Sequence, residues 1–264
     1  MTEKDLQFFK AWFSDFTKSY YSSDTEDQKN ITLKVEHTHN VCKNIIEIAQ
    51  GSSFSENQVR VAEAIALFHD MGRFPQYTRY KTFRDAASVN HGLLGSKILI
   101  KENVLLALPS YEQQLIIQAV KFHNAFAIPP VLNDETILFL RLIRDADKVD
   151  IFRVFIEYYE SPKQDRASAA AFGMPDTPGY SAVMLSCILK KQVASYSNIK
   201  TENDFKLMKL SWLYDMHFKE SVKLMLKKNY IDRIIDKLPQ TDEIISAMAT
   251  LKGYLSDRFN TTDS

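Results

Sequence analysis

The chain has 264 residues, 33 Lys and Arg against 33 Asp and Glu, and an apolar fraction of 45%. That length buries a full hydrophobic core, as one large domain or as a main domain with a smaller helical annex, and one compact body is expected. Zero net charge excludes a protein that holds nucleic acid by bulk positive charge, although a local basic patch stays open.

The opening Met1-Thr2-Glu3-Lys4-Asp5 places acids where a signal peptide carries basic residues. No stretch approaches the roughly 18 apolar residues of a membrane span, so a cytoplasmic protein without a membrane partner is expected. Cys42 and Cys187 are too few for a disulfide scaffold; both read as reduced, packed thiols, with a single bridge as the lesser alternative.

Helical periodicity dominates, glycine numbers only seven and no alternating run competes, so the fold is expected to be all-α. Residues 4 to 21 place Phe9, Trp12, Phe13, Phe16 and Tyr20 on one face, which suits a helix docked on the core. After the polar break Ser22 to Asn30, helices are expected near 31–50, 57–70, 90–102, 110–124 and 134–160. Gly72 reads as a helix stop, and Met71 to Val89 as a long connection. Residues 161 to 180, with three prolines and two glycines, form the clearest linker, a plain connector or a lid. Further helices are expected near 181–195, 203–227 and 241–258, with Trp212, Tyr214, His217 and Phe218 on the middle one.

The buried stripes of these helices carry the wrong residues. His37 shares a face with Leu33, Val41, Ile45 and Ile48; His69 lies one turn after Ile65; His123 follows Ile116 and Ala119. One such histidine reads as a hydrogen-bonded core residue. Four, with His91, read as ligands of a divalent metal, since imidazole and carboxylate suit borderline and hard cations. Asp70 ends a helical run, where the dipole's negative end opposes a carboxylate unless a cation is present. In Arg144-Asp145-Ala146-Asp147-Lys148-Val149-Asp150, helical phase ranks the acids. Asp147 shares its face with Leu140, Ile143, Ile151 and Val154; Asp150 comes second; Asp145, nearer Arg141, Arg144 and Lys148, reads as ion-paired or as a support for the ligands. His39, about 200° around the helix from His37, is expected at the surface or beside the ligands, and His217 as a packing or pocket residue.

These residues resemble the HD superfamily of metal-dependent phosphohydrolases, whose signature is an early His, a central His-Asp pair and a distal Asp on a helical bundle. The likeness rests on His37-Thr38-His39-Asn40-Val41, Ala66-Leu67-Phe68-His69-Asp70-Met71-Gly72 and Asp145-Ala146-Asp147-Lys148-Val149-Asp150, and covers about residues 31 to 156. It implies an HD-type helical bundle within 1–160, with the N-terminal helix, and leaves 161–264 as a helical extension packed on the same body. The added His91 and His123 are similar to the histidines of binuclear members such as the HD-GYP phosphodiesterases. Asp70 would then bridge two ions, His37, His69 and Asp147 holding one and His91 and His123 the other. Where some binuclear relatives carry a second His, this chain has Asn124, which leaves the second site one ligand short or completed by water or substrate. The metal could be Mn, Fe, Co, Zn, Ni or Mg, as one ion or two.

Arg73 to Arg84 interleaves basic and aromatic residues beside the His-Asp pair. Arg73, Tyr77, Arg79, Lys81 and Arg84 suit an anion that carries a ring, hence a nucleotide or related phosphate ester; a solvated loop anchored by its aromatics is the plainer reading. Asp70, Lys148 and Arg144 are the candidate catalytic groups, although either cation could instead pair with Asp145. The resemblance favours a metal-dependent phosphohydrolase, monoesterase or diesterase. Proteins similar to inositol oxygenase use the same ligand set to hold two irons, and a silent metal or nucleotide sensor is the third alternative. Homo-oligomerisation stays open.

Overall fold

The computed structural model describes residues 1–162, 164, 166–168 and 174–259, and every regular element among them is helical. The part of the linker at 163, 165 and 169–173 lies outside the described residues.

Side-chain caps set most helix starts, by accepting the orphan N–H groups of a first turn. Thr2 caps α1 (Glu3–Lys18), Asp24 caps α2 (Thr25–Gly51), Ser55 caps α3 (Glu56–Phe68), Asn90 caps α5 (His91–Lys101), Asn133 caps α7 (Asp134–Glu160) and Thr201 caps α9 (Glu202–Ser211). Asp24 explains why α2 begins six residues before the position read from apolar spacing. Its carboxylate accepts the Asp27 N–H at 2.8 Å, and Glu26 and Asp27 complement the helix dipole, so the polar first turn winds without an apolar stripe.

α2 and α7 run along each other and, with α3, form the centre of the bundle; α6 (Ser110–Phe122) closes it and α5 packs on α6. α1 lies on α3 through Phe9, and both Phe9 and Phe13 are almost completely buried. The Phe9 ring meets Phe68 edge-on at 5.4 Å, and Phe13 meets Phe74 at 6.1 Å. Each such pair adds about 0.5 to 1.5 kcal/mol to simple burial.

The stretch expected as a long connection contains a helix, α4 (Arg73–Tyr80). Pro75 sits in its first turn, where a missing N–H breaks no intrahelical bond. Gly72 is not a left-handed stop: its φ is −64°, and it begins α4. Its value is steric. A Cβ there would sit 2.1 Å from the His91 carbonyl oxygen, so only glycine lets the start of α4 meet the start of α5.

The C-terminal helices are α8 (Ala182–Leu189), α9, α10 (Lys219–Lys227), α11 (Tyr230–Ile235) and α12 (Asp242–Phe259). α10 packs on α2 and α7, α11 on α7 and α9, and α8 on α9 and α12. The single helix expected over 203–227 is two, because the chain tightens into a 3-10 turn at Trp212–Asp215 and then extends. Asp145, fully buried on α7, causes the break by accepting the backbone N–H groups of His217 and Phe218, both at 2.9 Å. Residues 174–180 strap onto α9, where Asn203 donates to the carbonyls of Thr177 and Gly179. Cys42 and Cys187 are free thiols. No helix among the described residues is long and apolar enough to cross a membrane.

Candidate metal centre

Five helices bring the six expected donors to one place: His37 from the middle of α2, His69 and Asp70 just beyond α3, His91 at the start of α5, His123 just beyond α6 and Asp147 from α7. Asp70 stands between two groups. Its Oδ2 lies 3.5 Å from His37 Nε2 and 3.7 Å from His69 Nε2, while its Oδ1 lies 3.2 Å from His91 Nε2 and 3.8 Å from His123 Nε2. Asp147 Oδ1 joins the first group, 3.0 Å from His37 Nε2 and 3.7 Å from His69 Nε2. His37, His69 and Asp70 form one buried set of donors within 4.8 Å of one another, and Asp70, His91 and His123 form another.

Each imidazole is oriented the same way. His37 Nδ1 pairs with Asp150 Oδ2 at 2.7 Å, His69 Nδ1 with the Ala66 carbonyl at 2.6 Å, His91 Nδ1 with both Asp85 oxygens, and His123 Nδ1 with the Val120 carbonyl at 2.7 Å. These acceptors place the ring proton on Nδ1 and aim the Nε2 lone pair inward, the arrangement that metal-binding histidines adopt. The inward nitrogens crowd one another, His91 and His123 at 2.9 Å and His37 and His69 at 3.4 Å. Two lone pairs at such distances repel unless a proton or a cation lies between them. Ligands about 2.1 Å from one ion are about 3.0 Å apart at octahedral and about 3.4 Å apart at tetrahedral angles, so the observed spacings match edges of a coordination shell. The donor set therefore fits divalent metal.

The electrostatics agree. Burial pulls the His69 imidazole down to about 4, and burial with the nearby Arg73 guanidinium lowers His91, so both rings are neutral donors at pH 7. Burial and Lys34 also oppose charge on His37, but its bonds to Asp147 and Asp150 prevail and raise it to about 9. A cation at His37 Nε2 displaces that proton. Burial opposes ionisation of Asp70, yet Lys34 and the surrounding histidines hold its carboxyl well below the usual carboxylate range.

The remaining residues singled out from sequence divide by position. Arg73 reaches the cluster, its Nε 3.4 Å from Asp70 Oδ1 and its Nη1 donating to Asp85 Oδ1 at 2.9 Å. Tyr77 is buried and accepts a hydrogen bond from Asn30, Lys81 pairs with Asp27, Arg79 lies over the Tyr80 ring, and Arg84 is exposed. Arg144 and Lys148 turn to Asp215, at 2.8 and 2.6 Å, and not to Asp145 or the histidines. Asp150, the second-choice ligand, instead holds His37 and is itself held by Arg153 at 2.6 Å. His39 is exposed, edge-on to Phe13, and His217 lies 3.4 Å from Asp145. Asn124 donates to Asp85 at 2.8 Å and so steadies the acceptor of His91.

Sequence reasoning missed Lys34, whose Nζ is 2.8 Å from Asp70 Oδ2, and Asp85. Lys34 lies three residues before His37 on the same helical face, a spacing that could have flagged it. Asp85 had no periodic signal.

Residues 35–151 match the family model of the HD domain. This segment is an HD domain. The match begins two residues before His37 and ends four beyond Asp147, so all six donors of the HD domain fall inside it, whereas α8 to α12 lie outside. Comparison with curated proteins returned no match, and comparison with solved structures returned none.

Proposed function

We propose that the chain is a metal-dependent phosphohydrolase acting on a nucleotide or related phosphate ester. The observation that carries this reading is Asp70, whose two oxygens each face a separate pair of inward imidazole nitrogens. His37, His69 and Asp147 would hold one ion and His91 and His123 the other, with Asp70 common to both. Bound divalent ions supply a water nucleophile at neutral pH and positive charge where phosphoryl oxygens gain negative charge.

The chain's own residues support an anionic substrate. Lys34 and Arg73 contact Asp70 from either oxygen. Ions that take those oxygens would release both cations to meet a phosphate. The Asp147 side chain is 21% exposed, which leaves the cluster open on that side. Arg144 and Lys148, paired with Asp215, act at one remove by fixing the helix that carries Asp147.

The test is a metal analysis of the purified protein, then a panel of nucleotides and phosphodiesters with Mn or Co, with and without oxygen. Phosphate release independent of oxygen is expected. Oxygen consumption with bound iron would replace this reading by a di-iron oxygenase, and metal binding without turnover would leave a sensor.

A further inference from the structure

Asp70 has two cations beside it, and they are held differently. Arg73 is pinned from elsewhere. Its Nη1 donates to Gln76 Oε1 and Asp85 Oδ1, both at 2.9 Å, and to the Phe83 carbonyl, while its Nε, 3.4 Å from Asp70 Oδ1, makes no hydrogen bond. Lys34 depends on Asp70. Its side chain is 15% exposed, its Nζ donates to Oδ2 at 2.8 Å, and no other carboxylate lies within ion-pair distance of it among the described residues. The Phe83 ring, centred 5.1 Å from Nζ, attracts the charge but offers no strong acceptor.

The oxygen that Lys34 uses is the one that faces His37 and His69. An ion about 2.1 Å from that oxygen would lie no more than about 4.9 Å from Nζ, because Nζ is itself 2.8 Å from the same atom. Like charges so close in a buried site repel strongly. Lys34 therefore opposes the ion that Asp70 is placed to bind, unless an anion lies beside both. A phosphoryl group meets that need, since one of its oxygens can face the ion while a neighbouring oxygen accepts a hydrogen bond from Nζ.

We propose that Lys34 interlocks metal and substrate: when an ion engages Asp70 Oδ2, the ammonium turns to a phosphoryl oxygen, so each of the two ligands raises the affinity for the other. This rests on the phosphohydrolase reading of the site. With no anion bound, Lys34 holds metal affinity down; with no metal bound, it stays on Asp70 and offers the anion no free ammonium. Arg73 keeps its bonds to Asp85 and Gln76 throughout, and so cannot serve in its place. Lys34 lies one residue before the segment that matches the family model, so the interlock is a property of this chain and not of the matched pattern.

The experiment titrates Mn into full-length protein by calorimetry, with and without inorganic phosphate, for the wild type, Lys34→Met and Lys34→Gln, with melting temperatures measured alongside. In the wild type, phosphate is expected to tighten Mn about fivefold or more, and Mn to tighten phosphate by the same factor. Without phosphate, both variants are expected to bind Mn about fivefold or more tightly than the wild type, because a neighbouring positive charge is gone. Their Mn affinity should then be indifferent to phosphate. Should one variant fold poorly, the other carries the result. Wild-type coupling retained within twofold by a folded variant overturns the proposal, as does Mn affinity that fails to rise, or absence of coupling in the wild type. Hydrolysis is assayed separately. Coupling that depends on Lys34, in a protein that hydrolyses nothing on the panel, supports this inference and retires the phosphohydrolase reading; hydrolysis with coupling indifferent to Lys34 does the reverse.

Discussion

Asp85 grips His91 with both carboxylate oxygens, at 2.9 and 2.8 Å from Nδ1. Asp150 holds His37 Nδ1 through one oxygen, at 2.7 Å, while Arg153 takes the other. Replacing either acid by Asn leaves every proposed ligand in place but removes the charge that fixes the ring, and such outer partners are worth roughly 10- to 100-fold in metal affinity. Asp85→Asn is expected to weaken one ion and Asp150→Asn the other, read by chelator competition with Mn or Co. Unchanged affinity in both variants would show that the rings need no such support.

Metal count tests the division of donors. Asp70→Ala is expected to lose both ions, because each group needs one of its oxygens. His123→Ala should retain about one ion per chain, as should Asp147→Ala, with the loss falling on opposite groups. Mass spectrometry of the folded protein under native conditions reads the stoichiometry directly. Two ions retained by Asp70→Ala would remove Asp70 from the centre.

Asp215 provides a pH dependence away from the metal. Burial opposes its ionisation, but Lys148 and Arg144 hold its carboxyl down at about 2, below the roughly 3.9 of an unfolded chain. A depressed carboxylate stabilises the fold above the unfolded value and loses that contribution as pH falls toward the folded one. With its side chain 31% exposed, the contribution after solvent screening is on the order of 1 kcal/mol. Urea melts of wild type and Asp215→Asn should differ at pH 7 and converge below about pH 4. A gap that stays constant with pH would assign the effect to packing.

Gly72→Ala is expected to destabilise by about 3 kcal/mol or more, because the added methyl meets backbone at 2.1 and 2.9 Å and the start of α5 must move. His91 moves with it, so the variant should also bind its second ion more weakly. Gly253→Ala is the control: its Cβ meets nothing within 4 Å inside α12, and the change should stabilise by about 0.5 to 1 kcal/mol. Thermal melts of the two variants side by side decide the matter, and equal behaviour would deny Gly72 its special place.

The all-α fold and four of the six expected donors were legible for one reason. Core-facing stripes are defined by period, and His37, His69, His123 and Asp147 fall on them although imidazole and carboxylate do not belong there. What the period could not convey was which acceptor lies behind each ring. Asp85 sits in a short 3-10 turn, so it shares no repeat with the donors. α4 was hidden by its eight-residue length and by Pro75, which reads as a break unless the first-turn position is known. The break in 203–227 depends on Asp145, a residue distant in sequence that satisfies two N–H groups a continuous helix would have used differently.

Asp145 and Asp147 leave the same helix two positions apart, one clasping the turn before α10 and the other facing the histidines. A fragment trimmed at residue 160 would strand Asp145 without its two N–H donors and Arg144 and Lys148 without Asp215. Buried charges orphaned in this way destabilise α7 and the face that carries Asp147. Removing the helices beyond residue 160 is therefore expected to loosen the end of α7 that carries Asp147, because that end leans on Asp215 and on the turn before α10.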